Sequence, residues 1–358
     1  MRYNNSGRSG FTLRGLAIRA AQSIGLHRDG RHFKLPPLEC ELRRRLWWVL
    51  HSTDARMAED HGITVAEQEY GGDTQLPANI DDQNVSEATT DLIQSQPRWT
   101  EMTFSLIIAE IHKVWVPIVR ATAESPDGSR PYQLIKQLEE DLNEKYLQYG
   151  DPDIPIQRLG ILLGQVLVAK AKVHVRQKVL QMQGVSASSI DYECVQELLK
   201  MACSALSIGL RMYNDDLLRG FRWLSSTYTQ FHLLTYILWH LCVYPTGPHV
   251  DEAWRAVNTH FDMTENDPAW PDPGPKWPML VQLRAKALRS RNAHVSVAQR
   301  DQQTPFVENN PTPMEVAGLP SADAALWDID NWDFNLLDFP DWDHLAQSIA
   351  IVGQEGGN

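Results

Sequence analysis

The sequence predicts an all-α fold, and three observations carry that expectation. Apolar residues recur every three or four positions through most of the first 290 residues. No stretch alternates apolar and polar residues as a half-buried strand does, and no hairpin signal separates two such stretches. No Gly-rich phosphate loop is present.

The elements follow in order. Leu13, Leu16, Ala17, Ala20, Ala21 and Ile24 fall on one helix face, and Gly25 supplies a stop because it tolerates left-handed dihedrals. Leu42, Leu46, Val49 and Leu50 mark a second helix starting near Glu39. Phe104, Ile107, Ile108, Ile111 and Val114 mark a third, with Pro117 near its end. Pro131 suits the first turn of a fourth, whose stripe is Leu134, Leu138, Leu142 and Tyr146. Leu159 to Leu180 is apolar around much of its circumference and predicts a central, well-covered helix. Asp191 to Leu210 follows with Val195, Leu198, Leu199, Ala202 and Leu206 in phase, and Phe221 to Tyr244 is aromatic-rich and predicted buried. Seven prolines between Tyr244 and Leu280 predict a surface excursion over 244–280. Trp277 to Arg291 adds a basic helix with Leu280, Leu283 and Leu288 as its apolar positions.

The organisation expected is therefore a flexible start (1–9), one irregular multi-helix domain (10–292) and a disordered acidic and aromatic tail (293–358). Charge sharpens the last boundary. Ten acids and no Lys or Arg lie between Gln302 and Asn358, so ten of the twelve net negative charges sit there and residues 1–301 are close to neutral. Such a tail repels phosphate backbones, which argues against direct nucleic-acid contact there.

Composition excludes further classes. Cys40, Cys194, Cys203 and Cys242 include no C-x-x-C pair and read as buried thiols of a reducing compartment. The start, Met1 to Gly7, has no apolar signal core. The most apolar run, Phe231 to Tyr244, is too short and too polar for a membrane span. Neither a zinc-protease His pair, a nucleophile elbow, a Walker loop nor a dinucleotide fingerprint occurs. Asp81-Asp82 is followed by Gln83-Asn84-Val85, which lacks the third acid of a helical metal motif, and Glu139-Glu140 reads as a solvated helix face. The expectation is an intracellular protein that is not an enzyme and holds no metal or cofactor.

Three strings near the start carry the most information. They are Ile24-Gly25-Leu26-His27-Arg28-Asp29-Gly30, then Leu42-Arg43-Arg44-Arg45-Leu46-Trp47-Trp48, then Leu76-Pro77-Ala78-Asn79-Ile80-Asp81-Asp82. In this order, with Asp54 between the second and third, the span Ala20 to Val85 resembles the middle homology region of fungal zinc-cluster (Zn2Cys6) transcription factors. The family pattern has Glu-x-x-Arg-Arg-Arg-x-Trp-Trp, met here by Glu39 to Trp48 with a one-residue variation around Glu41. Where the family has Gly-Arg-Pro, this chain has His61-Gly62-Ile63. The resemblance implies an all-helical regulatory domain of a nuclear transcription regulator of RNA polymerase II genes. It also implies a zinc-binding DNA module with six closely spaced cysteines, which these four scattered cysteines cannot build. A shortened sequence and a natural regulator brought to promoters by a partner both fit, as does a ligand-sensing helical scaffold.

Physical chemistry gives each motif residue a structural role. Consecutive helix positions point about 100° apart, so Arg43, Arg44 and Arg45 splay and are expected to pair with acids of the same domain. Asp54 continues the Leu42, Leu46, Leu50 face and should be partly buried beside an arginine. His27 reads as helix-end packing rather than a metal ligand, and Trp47 and Trp48 as core packing. Gly25, Arg28, Leu76, Pro77, Asp81 and Asp82 complete the set.

At the other end, Leu326 to Asp343 alternates bulky apolar groups with aspartates. The acids keep the aromatics hydrated and available to a partner's groove. As a helix, Trp332, Leu336 and Phe339 would share a face. Residues 321–345, with Trp327, Trp332, Phe334 and Trp342, are the candidate activation segment, whose partners would be co-activators or mediator-type proteins. DNA is reached only through a missing module or a partner, a homo- or heterodimer is a further form, and no membrane is involved.

Overall fold

The computed structural model describes residues 8–60, 71–86, 89, 93–125, 127–182, 192–225, 231–267 and 277–301. Among these residues every regular element is helical, with ten α-helices and no strand. They divide into two compact units, one of residues 8–182 and 204–225, the other of 192–203 and 231–301.

In the first unit, α1 (Arg8–Ser23) and α2 (Pro37–Asp60) are joined by a 3-10 turn, Gly30–Phe33. Pro37 opens α2, where its missing N–H costs nothing and its fixed φ suits the helix. The main core lies among α3 (Thr103–Glu124), α4 (Ser129–Lys145) and α5 (Pro155–Met182), which pack pairwise on one another. Ile107, Ile111 and Ile118 of α3, Ile135, Leu138 and Leu142 of α4, and Leu159, Leu163, Val166 and Val175 of α5 fill it. Pro117 lies inside α3 rather than near its end, because the helix continues for seven residues beyond it. The second half of α6 (Tyr192–Asn214) and the four-residue α7 (Arg222–Ser225) also belong to this unit.

The second unit is built on α8 (Phe231–Val243), in which every residue from Leu233 to Leu241 is buried. Helix α9 (Val250–Asn266) packs on it through a buried stripe of Val250, Ala253, Trp254, Val257 and Phe261, and α10 (Trp277–Asp301) through Met279, Leu280, Leu283 and Ala287.

Two boundaries differ from the sequence expectation. The excursion expected over 244–280 contains a full helix. Its prolines cluster at 245–248 and 268–278 and leave 250–266 free of breakers. The last helix continues through 293 to Asp301, since nothing before that point breaks it. Leu288, assigned to its apolar face, is exposed, and Ala287 is buried instead. The tail from Gln302 onward, including Trp327, Trp332, Phe334, Leu336, Phe339 and Trp342, lies outside the described residues. So does His61-Gly62-Ile63.

Candidate functional site

The three sequence strings meet in one corner of the first unit. Helix α1 ends in a Schellman arrangement, in which Leu26 N–H donates to the Ala21 carbonyl (2.9 Å) and Gly25 N–H to the Gln22 carbonyl (3.0 Å). That closure requires the left-handed backbone that Gly25 adopts at φ +74°. Arg43 reaches across from α2 to donate to the Ile24 carbonyl (3.0 Å), with its guanidinium over the Phe33 ring.

The turn delivers Asp29 into the interior, where it is 1% exposed. Its carboxylate accepts from Arg44 Nε (2.8 Å) and Nη2 (2.9 Å), from the Arg31 side chain (2.9 Å), and from the backbone N–H groups of Arg31 and Gln75. Burial pushes its pKa upward, but the Arg44, Arg31 and Gln75 hydrogen bonds outweigh burial and hold the carboxyl well below the usual range. Arg44 is correspondingly raised, first by its hydrogen bond to Asp29.

Glu41, also 1% exposed, forms a second node. It accepts from Arg45 Nε (3.0 Å) and from the Ala78 backbone N–H (3.1 Å). Arg45 spans from Glu41 to Asp82. The third node is Asn79, whose amide group donates to the Gln96 and Arg98 carbonyls and whose oxygen accepts from Thr100 and Thr103. Asp81 accepts from Arg98 and from the Glu101 backbone N–H, while the Asp82 N–H donates to the Glu101 carboxylate.

These nodes stitch the extended segment 72–82 to the corner between α1 and α2. Asp73 N–H donates to the His27 carbonyl (3.0 Å), Thr74 Oγ1 to the Leu26 carbonyl (2.7 Å), and Trp48 Nε1 to the Gln75 carbonyl (2.9 Å). Asp73 accepts from the Asp29 N–H and pairs with Arg28 and His32. Gly72 passes so close that a Cβ there would lie 2.5 Å from the His27 carbonyl oxygen. Beneath the polar frame, Ala21, Leu26, Trp47, Trp48 and Ala109 form a small apolar cluster, with Leu76 packed against it. The His27 ring lies 6.3 Å from the Trp47 ring. Asp54 is buried lower on α2, although Leu42 and Leu46, whose spacing it continues in the sequence, are exposed.

Thus Gly25, His27, Arg28, Arg43, Arg44, Arg45, Trp47, Trp48, Leu76, Asp81 and Asp82 converge, and Pro77 and Arg45 border a half-open pocket between α2 and α3. Sequence reasoning did not single out Asp29, Glu41, Asp73 or Asn79, which are the acceptors that organise the frame. The available signal was their position inside the same strings as the arginines that need them.

The carboxylates that define the nodes are already engaged by arginines and backbone N–H groups, an arrangement that holds chain segments together rather than acts on a substrate. Among the described residues no group of three His, Cys, Asp or Glu side chains could hold a metal, and no helix is long and apolar enough to cross a membrane. Burial pushes the Cys203 and Cys242 thiols up to about 12 and raises Cys40 as well, so these sulfurs stay protonated.

Comparison with known proteins gives the frame a context. Residues 2–144 match the fungal specific transcription factor domain. The chain is 27% identical over 259 residues to the aurofusarin cluster transcription factor aurR2 of Gibberella zeae, covering 70% of this chain and 38% of that protein. It is 28% identical over 275 residues to the pyriculol/pyriculariol biosynthesis cluster transcription factor 1 of Pyricularia oryzae (72% and 35%). It is 26% identical over 310 residues to the transcriptional regulator AacuB of Aspergillus aculeatus (82% and 41%). The chain therefore spans well under half the length of these relatives. No solved structure matches it significantly.

Proposed function

Residues 2–144 of this chain are a fungal specific transcription factor domain, the middle homology region of zinc-cluster transcription factors, and from that premise we propose that the chain is the regulatory and activating portion of a nuclear regulator of a pathway-specific gene set. The family is one of transcription factors, not enzymes. The observation that carries the proposal is the coincidence of the matched domain with the frame from Gly25 to Asp82, whose charged groups are spent on holding segments together. The relatives' description as cluster transcription factors supports a clustered target set.

Residues 321–345 then supply activation, presenting Trp327, Trp332, Phe334, Leu336, Phe339 and Trp342 to a co-activator groove. DNA is reached through a zinc-cluster module or a partner, since the chain's own cysteines cannot form that module. The near-neutral helical body and the tail with ten acids suit a body that restrains the tail until it is released.

The test is a reporter driven by the full chain fused to a foreign DNA-binding domain. Deletion of residues 302–358, or replacement of Trp327, Trp332, Phe334 and Trp342 by Ala, is expected to abolish output. Unchanged output in either variant refutes activation by the tail. Raised output on partial deletion of the body is the expected mark of restraint.

A further inference from the structure

One surface of the first unit combines exposed apolar side chains with positive charge. Leu42, Leu46 and Val49 lie at i, i+4 and i+7 on the outer face of α2, and each is half or more exposed. Ile24 and Phe33 are exposed to the same degree. They stand at the near end of that helix, because Arg43 donates to the Ile24 carbonyl (3.0 Å) and lies over the Phe33 ring. Monomeric proteins seldom leave large apolar groups bare together, and such a group marks an interaction surface. Lys34, next to Phe33, is exposed, and neither Lys34 nor Arg43 meets a carboxylate among the described residues. Over residues 8–50 and 72–82, nine Lys and Arg stand against six Asp and Glu, a net charge of +3. Residues 1–301 together carry −2, so the corner is positive on a body that is slightly negative.

We propose that the occupant of this face is residues 321–345 of the same chain, with Trp332, Leu336 and Phe339 against the α2 stripe and the segment's aspartates toward Lys34 and Arg43. The segment supplies what the face lacks: seven Asp, no Lys or Arg, and bulky apolar groups between them. A second copy of the chain fits worse, because a two-fold contact brings two net positive faces together. The tether is long enough. Trp332 stands 31 positions beyond Asp301, where the described chain ends. That length extends to roughly 100 Å, more than the width of a folded domain. Such a tether holds the segment at an effective concentration of about 1 mM. A free-segment Kd of about 0.3 mM, weak as suits a segment that orders on binding, then leaves the face occupied about three-quarters of the time. The docking rests on the reading that the body restrains the tail, and it gives that restraint a location. At this occupancy, release raises output by at most about fourfold, and the exposed leucines add little to folding stability.

The test uses the full chain with Trp332 or, separately, Phe339 replaced by the photo-cross-linking residue p-benzoylphenylalanine. Irradiation of the purified protein at low micromolar concentration should join these positions to peptides within residues 24–49, read by mass spectrometry. In a mixture of nitrogen-15-labelled and unlabelled chains, both joined peptides should come from one chain. Leu42→Asp with Leu46→Asp, made on the outer face, should cut the yield about threefold or more and leave the melting temperature nearly unchanged. Raising NaCl from about 50 mM to about 500 mM should cut it about twofold. In the reporter fusion the same aspartate pair should raise output about two- to fourfold. Absence of cross-links to residues 24–49 from both positions, cross-links that join different chains, or a yield that the aspartate pair leaves unchanged overturns the docking, whatever the reporter shows. Cross-links to 24–49 that the aspartate pair removes while reporter output stays the same support the docking and refute the restraint.

Discussion

Asp29 shows how a single buried charge organises this protein. Taking a carboxylate out of water costs several kcal/mol, and the paired guanidinium of Arg44, the Arg31 side chain and the flanking N–H groups offset that. Asp29→Asn leaves Arg44 buried beside a neutral group and is expected to destabilise the first unit by about 3–5 kcal/mol, read from urea denaturation. A loss under about 1 kcal/mol would show the pair to be a surface-like contact. The pH dependence has a definite sign. The folded-state pKa of Asp29 is depressed, so its contribution is fully present above the unfolded value, 3.8, and is lost as pH falls below it. At this scale the arginines were legible and their partners were not. Three consecutive basic residues on a helix announce divergent directions, and Arg43, Arg44 and Arg45 go to a carbonyl, to Asp29, and to Glu41 with Asp82 respectively. Which acid each arginine meets depends on the turn at Gly30–Phe33, which brings together residues 15 apart in sequence.

Helices α1 and α2 expose most of the residues that their apolar spacing would bury. Leu42, Leu46 and Val49 are 53%, 50% and 56% exposed, and Leu13 and Leu16 on α1 and Ile24 just past its end are exposed as well. The inward face of α2 instead carries Cys40, Glu41, Arg44, Trp47, Trp48, Asp54 and Met57, and that of α1 carries Ile18 and Ala21. On α2 hydrophobic periodicity fails because the buried face includes charged side chains such as Glu41, Arg44 and Asp54, which a periodicity search scores as solvent-facing. Where the core is purely apolar, as along Leu159–Val179 of α5 and Val195–Leu206 of α6, the same spacing locates the buried face correctly. Helix α9 is masked in the sequence by prolines on both sides, which dominate the local composition. The two faces of α2 can be told apart by substitution. Leu42→Gln with Leu46→Gln is expected to change stability by less than about 0.5 kcal/mol each, as at other surface positions. Trp47→Ala should cost about 3–5 kcal/mol by emptying the cluster around Leu26 and Ala109. A large loss from the leucine pair in thermal melts would show that this stripe is covered in solution.

Over the whole molecule, the two units differ in how they hold ionisable groups. The first places paired charges inside, whereas the second buries neutral imidazoles. His240 and His260 both belong to the second unit, and burial lowers their pKa values to about 3 and about 4. His240 stands 3.2 Å from the Gln196 side-chain nitrogen, a contact that a neutral ring can accept and a protonated ring cannot. A lowered folded-state histidine pKa means that the unfolded chain takes up protons first. Each such residue therefore subtracts stability as pH falls below the unfolded value of 6.5, and goes on doing so down to its folded value. At pH 5 the cost is about 2 kcal/mol per histidine, or about 4 kcal/mol for the second unit. The first unit carries His51, which burial also lowers, while its Asp29 pair keeps its full contribution down to about pH 4. Mild acid should thus loosen the second unit before the first. Hydrogen exchange at pH 7 and pH 5, corrected for the intrinsic pH dependence of exchange, should show protection falling in α8 and α9 by two to three orders of magnitude, with a smaller change in α3 to α5. His240→Gln should recover roughly half of the lost protection. An equal loss in both units would mean that they unfold as one body, and no loss in α8 would mean that His240 takes up its proton without opening the unit that encloses it.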